Sequence, residues 1–292
     1  MELWVSGMTY RVGALCAGYG GIELALSEIV ETDLVWHSEI CETADQIMRE
    51  RFKTPNLGDL LNINNPPECD IVTAGFPCQP VSLGGFRKGI HDERWIIEDV
   101  CKLAKQAGAR FLVLENVSGI LTANNGDAMA RVVQAMAQNG FGRFEWDIIR
   151  ASDVGACHRR ERWFCVAANS ESAEWGNKKP ETLETTIRPT AEFRERTSSN
   201  SGKCLHTETK WGQYEPAIRR WESLIGRAAP RPDLPDSSLS HFFVEWQMGL
   251  PLHWVTGADL GLSQSDCLKV LGNGVVPQMA EVILRRLFER IL

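Results

Sequence analysis

Short apolar runs and longer stretches of helical spacing alternate along most of this chain. Arg11–Cys16, Leu34–Ser38, Ile71–Gly75, Phe111–Leu114, Phe144–Ile149 and Trp163–Ala167 are apolar but too short for helices, and read as buried strands. Between them the spacing predicts a helix starting at Ile22, another over Ala44–Arg51, a third over Asp92–Lys105 (apolar at Trp95, Ile96, Val100, Leu103 and Ala104) and a fourth over Met129–Gln138. Strand and helix in alternation imply an α/β fold. From about Asn169 to Asp236 the texture changes to a polar stretch with few apolar runs, expected to be rich in loops. Phe242–Gly249 then reads as a short helix stopped by Gly249 and Leu250-Pro251, and Gln278–Ile291 as an amphipathic helix after a turn at Val270–Pro277.

The chemistry-bearing residues fall at the ends of these runs. The first strand enters Ala17-Gly18-Tyr19-Gly20-Gly21, a turn that lets backbone approach a ligand. Glu39 ends the second strand, about twenty residues later, where an acid can accept from ribose hydroxyls. The pair suits an adenosine-containing cofactor, with Asp59 flanking the adenine, but also a plain βαβ unit. Ile71–Gly75 breaks into Phe76-Pro77-Cys78-Gln79-Pro80, where two prolines stiffen a loop around one cysteine. Gly84–Gly89, with Arg87 and Lys88, has the composition of a basic lid. Glu115 ends the next run, placed for acid chemistry or for a helix cap. Arg160 and Arg162 alternate and share a side if a strand begins there, suiting a phosphate, a base edge or solvent.

Composition narrows the partners little. The 292 residues carry a formal charge of −7, which argues mildly against nucleic acid. The acidic excess lies outside the polar stretch, where residues 170–236 hold eleven basic and eleven acidic side chains. There, Trp175, Trp211, Tyr214 and Trp221 interleave with Arg188, Arg194, Arg196, Lys210, Arg219, Arg220 and Arg227, a mix that suits a nucleic-acid surface or a poorly ordered insertion. Nine scattered cysteines show no CxxC and no zinc spacing, so most are expected to be buried packing thiols. Neither a leader nor a run of membrane-spanning length is evident, which predicts a cytoplasmic protein without a membrane partner.

Taken in order, these pieces resemble the DNA cytosine-5 methyltransferases, especially compact bacterial and phage forms. Ala17–Gly21 resembles the family's first S-adenosyl-L-methionine (AdoMet) loop, Glu39 its ribose acid and Asp59 its adenine-side acid. Pro77-Cys78-Gln79 resembles its catalytic loop, Glu115-Asn116-Val117 its Glu-Asn-Val motif, and His158–Arg162 its Gln-x-Arg-x-Arg motif. Gly272-Asn273-Gly274-Val275-Val276 resembles its last motif, and Phe242–Leu250 the motif supporting target recognition. The chain departs from the pattern at His158, where glutamine is usual, and at Cys16, where phenylalanine usually stands beside the cofactor and Tyr19 is expected to supply the stacking.

The resemblance implies a mostly parallel, Rossmann-like methyltransferase sheet with helices on both faces. Residues 1–168 would form the AdoMet-binding catalytic domain, 169–263 a small recognition domain, and 264–292 a return to the first. Its implied catalytic residues are Cys78 (nucleophile), Glu115, Arg160, Arg162, Gln79 and Asn116. Arg160 would favour the thiolate, and a water near Asn116 or Gln79 would take the departing proton. The cofactor would be held by Ala17, Gly18, Tyr19, Gly20, Gly21, Glu39, Ile40, Asp59, Leu60, Gly75, Pro77, Ile97, Asn273 and Val275. Ser82, Arg87 and Lys88 would contact duplex DNA. The implied protein is a monomer that is solitary, protects a phage genome or accompanies a cognate restriction enzyme.

Overall fold

A computed structural model describes residues 8–77, 95–169 and 210–292. The six predicted strands form there: β1 (Tyr10–Leu15), β2 (Thr32–Ser38), β3 (Ile71–Gly75), β4 (Phe111–Asn116), β5 (Arg143–Arg150) and β6 (Glu161–Ala168). They make one sheet in the order β2-β1-β3-β4-β6-β5. The pairs β1/β2, β1/β3 and β3/β4 are parallel, and β6 runs antiparallel to both β4 and β5. The chain leaves β1 to one side for β2 and returns to the other for β3, so β1 marks the switch point where open sheets of this kind bind ligands.

Register decides what gathers there. Leu15 pairs with Ser38 and with Ala74, and Gly75 pairs with Glu115. Residues 16, 39, 75 and 115 therefore stand side by side at the carboxyl edge. Antiparallel β6 brings its first residues to the same edge, with Trp163 opposite Asn116 and Phe164 opposite Glu115. Arg162 shares a face with Phe164 and so lands beside the Glu115 carboxylate.

Helices cover both faces. The helices α3 (Ile97–Gln106) and α4 (Asp127–Gln138) bury Val100, Leu103, Val132 and Met136 against Val72, Leu112 and Leu114. On the other face α1 (Gly21–Ser27) and α8 (Pro277–Ile291) pack on Ile71, Phe111, Val113 and Phe164. Between β2 and β3 lies α2 (Glu42–Phe52). Gln264–Ile291 is long and apolar enough to cross a membrane, contrary to the reading of the sequence. It bends between α7 (Gln264–Asn273) and α8, and most of it is buried, the mark of a core segment.

The polar stretch is less loop-like than its composition suggests. Residues 170–209, Trp175 among them, lie outside the described residues, but Glu215–Ile225 is a helix, α5, with a proline in its first turn and Gly226 at φ 69 ending it. Ile218, Trp221 and Ile225 form its buried stripe, in the same core as the sheet. Trp221 is thus a core residue rather than part of a reading surface, and its Nε1 donates to Trp246 O at 3.0 Å. Trp246 lies on α6 (His241–Gln247), where Phe243 stacks on Trp211 at 5.6 Å. Arg219 is taken up by Glu215 and Glu222, and Arg220 donates to Gly155 O. Tyr214 remains exposed.

Candidate active site

A cavity of about 450 Å³ opens at the carboxyl edge of β1–β4, a size usual for small-molecule sites. Its wall combines Cys16 and Gly18 after β1, residues 38–41 after β2, residues 59–61, residues 75–77 after β3, Ile96, Glu115, Arg162, and Lys269, Val270 and Asn273 of α7.

One end carries Glu39. Its Oε2 accepts from Gly18 N at 3.0 Å and its Oε1 from Cys41 N at 2.9 Å. Each oxygen keeps acceptor capacity for a ligand hydroxyl. Asp59 caps the turn that follows it, accepting from Leu61 N at 3.0 Å. Ile40 and Leu61, both large, apolar and exposed, stand at the rim.

The other end is buried. Glu115 is 7% exposed, and Arg162 Nε lies 2.8 Å from its Oε1. Burial raises the Glu115 pKa above the usual carboxylate range, while Arg162 and Arg160 pull it back. Its proton is held more tightly than an ordinary carboxylate's, which suits a group that hands a proton to a bound base.

Not every implied site residue reaches the cavity. Gly18, Glu39, Ile40, Asp59, Leu60, Gly75, Pro77, Glu115, Arg162 and Asn273 line it. Cys78, Gln79, Ser82, Arg87 and Lys88 lie outside the described residues. Ile97 is packed in the core as the first residue of α3, and Ile96 faces the cavity instead. Asn116 is buried with its amide on the main chain: Nδ2 donates to Phe76 O at 3.1 Å, and Oδ1 accepts from Val117 N at 2.8 Å. It therefore fastens the backbone leading toward Cys78 rather than offering its amide to a water in the cavity. Arg160 donates to Gly274 O at 2.6 Å and is not part of the cavity wall. Ala17, Gly20 and Gly21 also lie behind the wall, shaping the turn.

Tyr19 cannot stack on a ligand in this cavity. Its ring is 1% exposed beneath Gly274, where any side chain would collide with it, and its hydroxyl donates to Val275 O at 2.6 Å. Val275 thus contributes a main-chain latch between the turn after α7 and the glycine loop. His158 is also structural. Burial lowers its pKa, so it is neutral, and its Nε2 lies 3.1 Å from Gln247 O while Arg160 N donates to Nδ1.

Lys269 and Val270 reach the cavity because Gln264–Asn273 is a helix rather than the start of the expected turn, and the serine cap at Ser263 is its signal in the sequence. Cys16 lines the cavity at φ 51, its thiol pushed up to about 12 by burial and by Glu39 and Asp59. Cys69 and Cys101 are likewise pushed up to about 12, chiefly by burial. None of the three is suited to be a nucleophile.

The sequence matches the family described as C-5 cytosine-specific DNA methylase over residues 10–224. It is 36% identical over 151 residues to the type II methyltransferase M.BsuFI of Bacillus subtilis, covering 51% of this chain and 36% of that protein. It is 29% identical over 160 residues to M.HhaI of Haemophilus parahaemolyticus, covering 54% of this chain and 48% of that one. The chain thus matches half or less of these relatives' length. The S. pombe Dnmt2 methyltransferase superposes with a TM-score of 0.61 at 16% identity, over 96% of this chain and 99% of that one, which supports the fold. Methyltransferases of this family use AdoMet as methyl donor. With the glycine loop, Glu39 and the Glu115–Arg162 pair meeting in one cavity, and with the match spanning most of the sequence, this chain belongs to the C-5 cytosine-specific DNA methylase family.

Proposed function

We propose that this protein is a DNA cytosine-5 methyltransferase that takes a cytosine flipped out of duplex DNA and methylates carbon 5 in a specific sequence context. One observation carries the reading: a buried acid, Glu115, is held by Arg162 in the cavity whose far end presents Glu39. The cavity fits AdoMet, since Glu39 can accept from ribose hydroxyls and the Glu39 and Asp59 carboxylates suit a ligand that bears cationic groups. Leu60, Ile40 and Asn273 would complete the binding wall, with Asp59 at the adenine. When bound, AdoMet supplies the electrophilic methyl group.

The chain's own residues do the rest. Carbon 5 of cytosine is a weak nucleophile. Cys78, as thiolate, bonds to carbon 6, and the ring's electron pair shifts toward carbon 5 and nitrogen 3. Glu115 gives nitrogen 3 a proton as that charge develops. Once carbon 5 carries the methyl group, its proton leaves to water, the sulfur–carbon 6 bond breaks to restore the thiolate, and nitrogen 3 returns its proton to Glu115. Because the target must leave the duplex, at a cost of a few kcal/mol, Ser82, Arg87 and Lys88 are assigned to the DNA behind it.

Residues 1–168 and 264–292 form the catalytic part in this reading, and 169–263 the part that reads DNA. The protein acts as a monomer in the cytoplasm.

Duplex DNA of varied sequence containing 5-fluorocytosine tests the proposal, because fluorine blocks the final elimination. The expected result is a denaturant-stable protein–DNA adduct that requires AdoMet and is lost in Cys78→Ala. No adduct with any DNA, or an adduct formed on tRNA but not DNA, overturns it. Bisulfite sequencing of DNA from expressing cells then reads out base and context.

A further inference from the structure

Beyond β2 the chain adds a short extra rung to the sheet. His37 N donates to Pro55 O at 3.0 Å, and Leu57 N donates to His37 O at 2.7 Å, so residues 55–57 run parallel to the end of β2. One step further the main chain stops pairing and the Asn56 side chain takes over. Its Nδ2 donates to Glu39 O at 2.9 Å, and its Oδ1 accepts from Glu39 N at 3.1 Å and from Gly58 N at 2.9 Å. Ser38 Oγ donates to Gly58 O at 2.6 Å beside it. Gly58 turns the chain at φ 80 directly into Asp59.

We infer that Asn56 is a positioning residue that fixes Glu39 and Asp59 relative to each other, and thereby sets the affinity for the nucleoside part of the cofactor. A primary amide is suited to this because it presents a donor and an acceptor in one plane, as a peptide group does, and so can hold both main-chain groups of a single residue. Aspartate has the same size and no donor, so it would turn an acceptor toward Glu39 O. Asn56 does not line the cavity. Its effect passes through the Glu39 carboxylate, which faces the cavity between Gly18 N and Cys41 N, and through the turn carrying Asp59.

The inference rests on the reading of this cavity as the AdoMet site. The test is isothermal titration of AdoMet into the full-length wild type, Asn56→Ala, Asn56→Asp, Glu39→Ala and the Asn56→Ala/Glu39→Ala double variant, with ligand-free melting temperatures and steady-state methylation alongside. Asn56→Ala and Asn56→Asp should each raise the AdoMet dissociation constant about tenfold, the effect of leaving main-chain groups unpaired. KM for AdoMet should rise with it while kcat at saturating AdoMet stays within about twofold. The double variant should bind more weakly than Glu39→Ala by clearly less than the Asn56→Ala effect alone, because the part that passes through Glu39 is already lost and only the part through Asp59 remains. Wild-type affinity in Asn56→Asp overturns the inference, as does full additivity in the double variant or a weakened affinity explained by a matching fall in ligand-free melting temperature. A wild type that binds no AdoMet sinks the cavity reading itself and this inference with it, a result distinct from the other three.

Discussion

The two ends of the cavity hold their carboxylates in different ways. At the end proposed for the nucleoside, Glu39 sits half in solvent between two main-chain N–H donors, and Asp59 caps a turn. At the other end Glu115 is buried, held by a guanidinium, and its pKa is raised. Main-chain donors satisfy a charged acid without moving with it, which suits a group whose task is to stay put and accept. Burial and a neighbouring arginine act on an acid's proton in opposite senses, which suits a group that gives up a proton and takes one back.

Substituting one acid at a time should therefore produce opposite kinetic signatures. Glu115→Gln should lower kcat by about a thousandfold and leave the AdoMet dissociation constant within about twofold, as read by single-turnover kinetics and titration. Glu39→Ala should raise KM for AdoMet by about ten- to a hundredfold, the loss of one or two charge-assisted hydrogen bonds, with kcat at saturation little changed. If both variants lose kcat alone, the division of labour is wrong.

Arg162→Met sharpens the same contrast. Arg162 lowers a Glu115 pKa that burial raises, so removing it lets the pKa climb further. The alkaline limb of the kcat–pH profile, where protonated Glu115 is lost, should move to higher pH, and the Glu39→Ala profile should not move.

The smallest effect on activity is expected at Glu23, a third buried acid on α1, bonded to Thr73 and away from the cavity wall. Burial pushes its pKa up to about 7. The native state then holds this proton more tightly than the unfolded chain does. Stability is full below about pH 4.5 and falls as pH rises to about 7, by on the order of 3 kcal/mol. Glu23→Gln should flatten that decline in urea unfolding at pH 5 and pH 8 while leaving kcat unchanged.

Much of this was legible because strand ends are legible. The runs ending near residues 16, 38, 75 and 115 come out of the apolar pattern alone, and a parallel sheet places such ends side by side whatever lies between. The pairing of Arg162 with Glu115 was not legible, since it depends on β6 inserting antiparallel between β4 and β5. Nor was α5, whose three buried residues are diluted among charges. Asn56 gave no signal: an asparagine before a turn is ordinary, and its worth lies in the main chain it meets.

The contact between Tyr19 and Val275 joins residues 256 positions apart. Bringing such distant segments together carries a loop-closure cost that no local contact offsets. Until Val275 docks, a chain that already displays Glu39 lacks the α7 wall of the pocket.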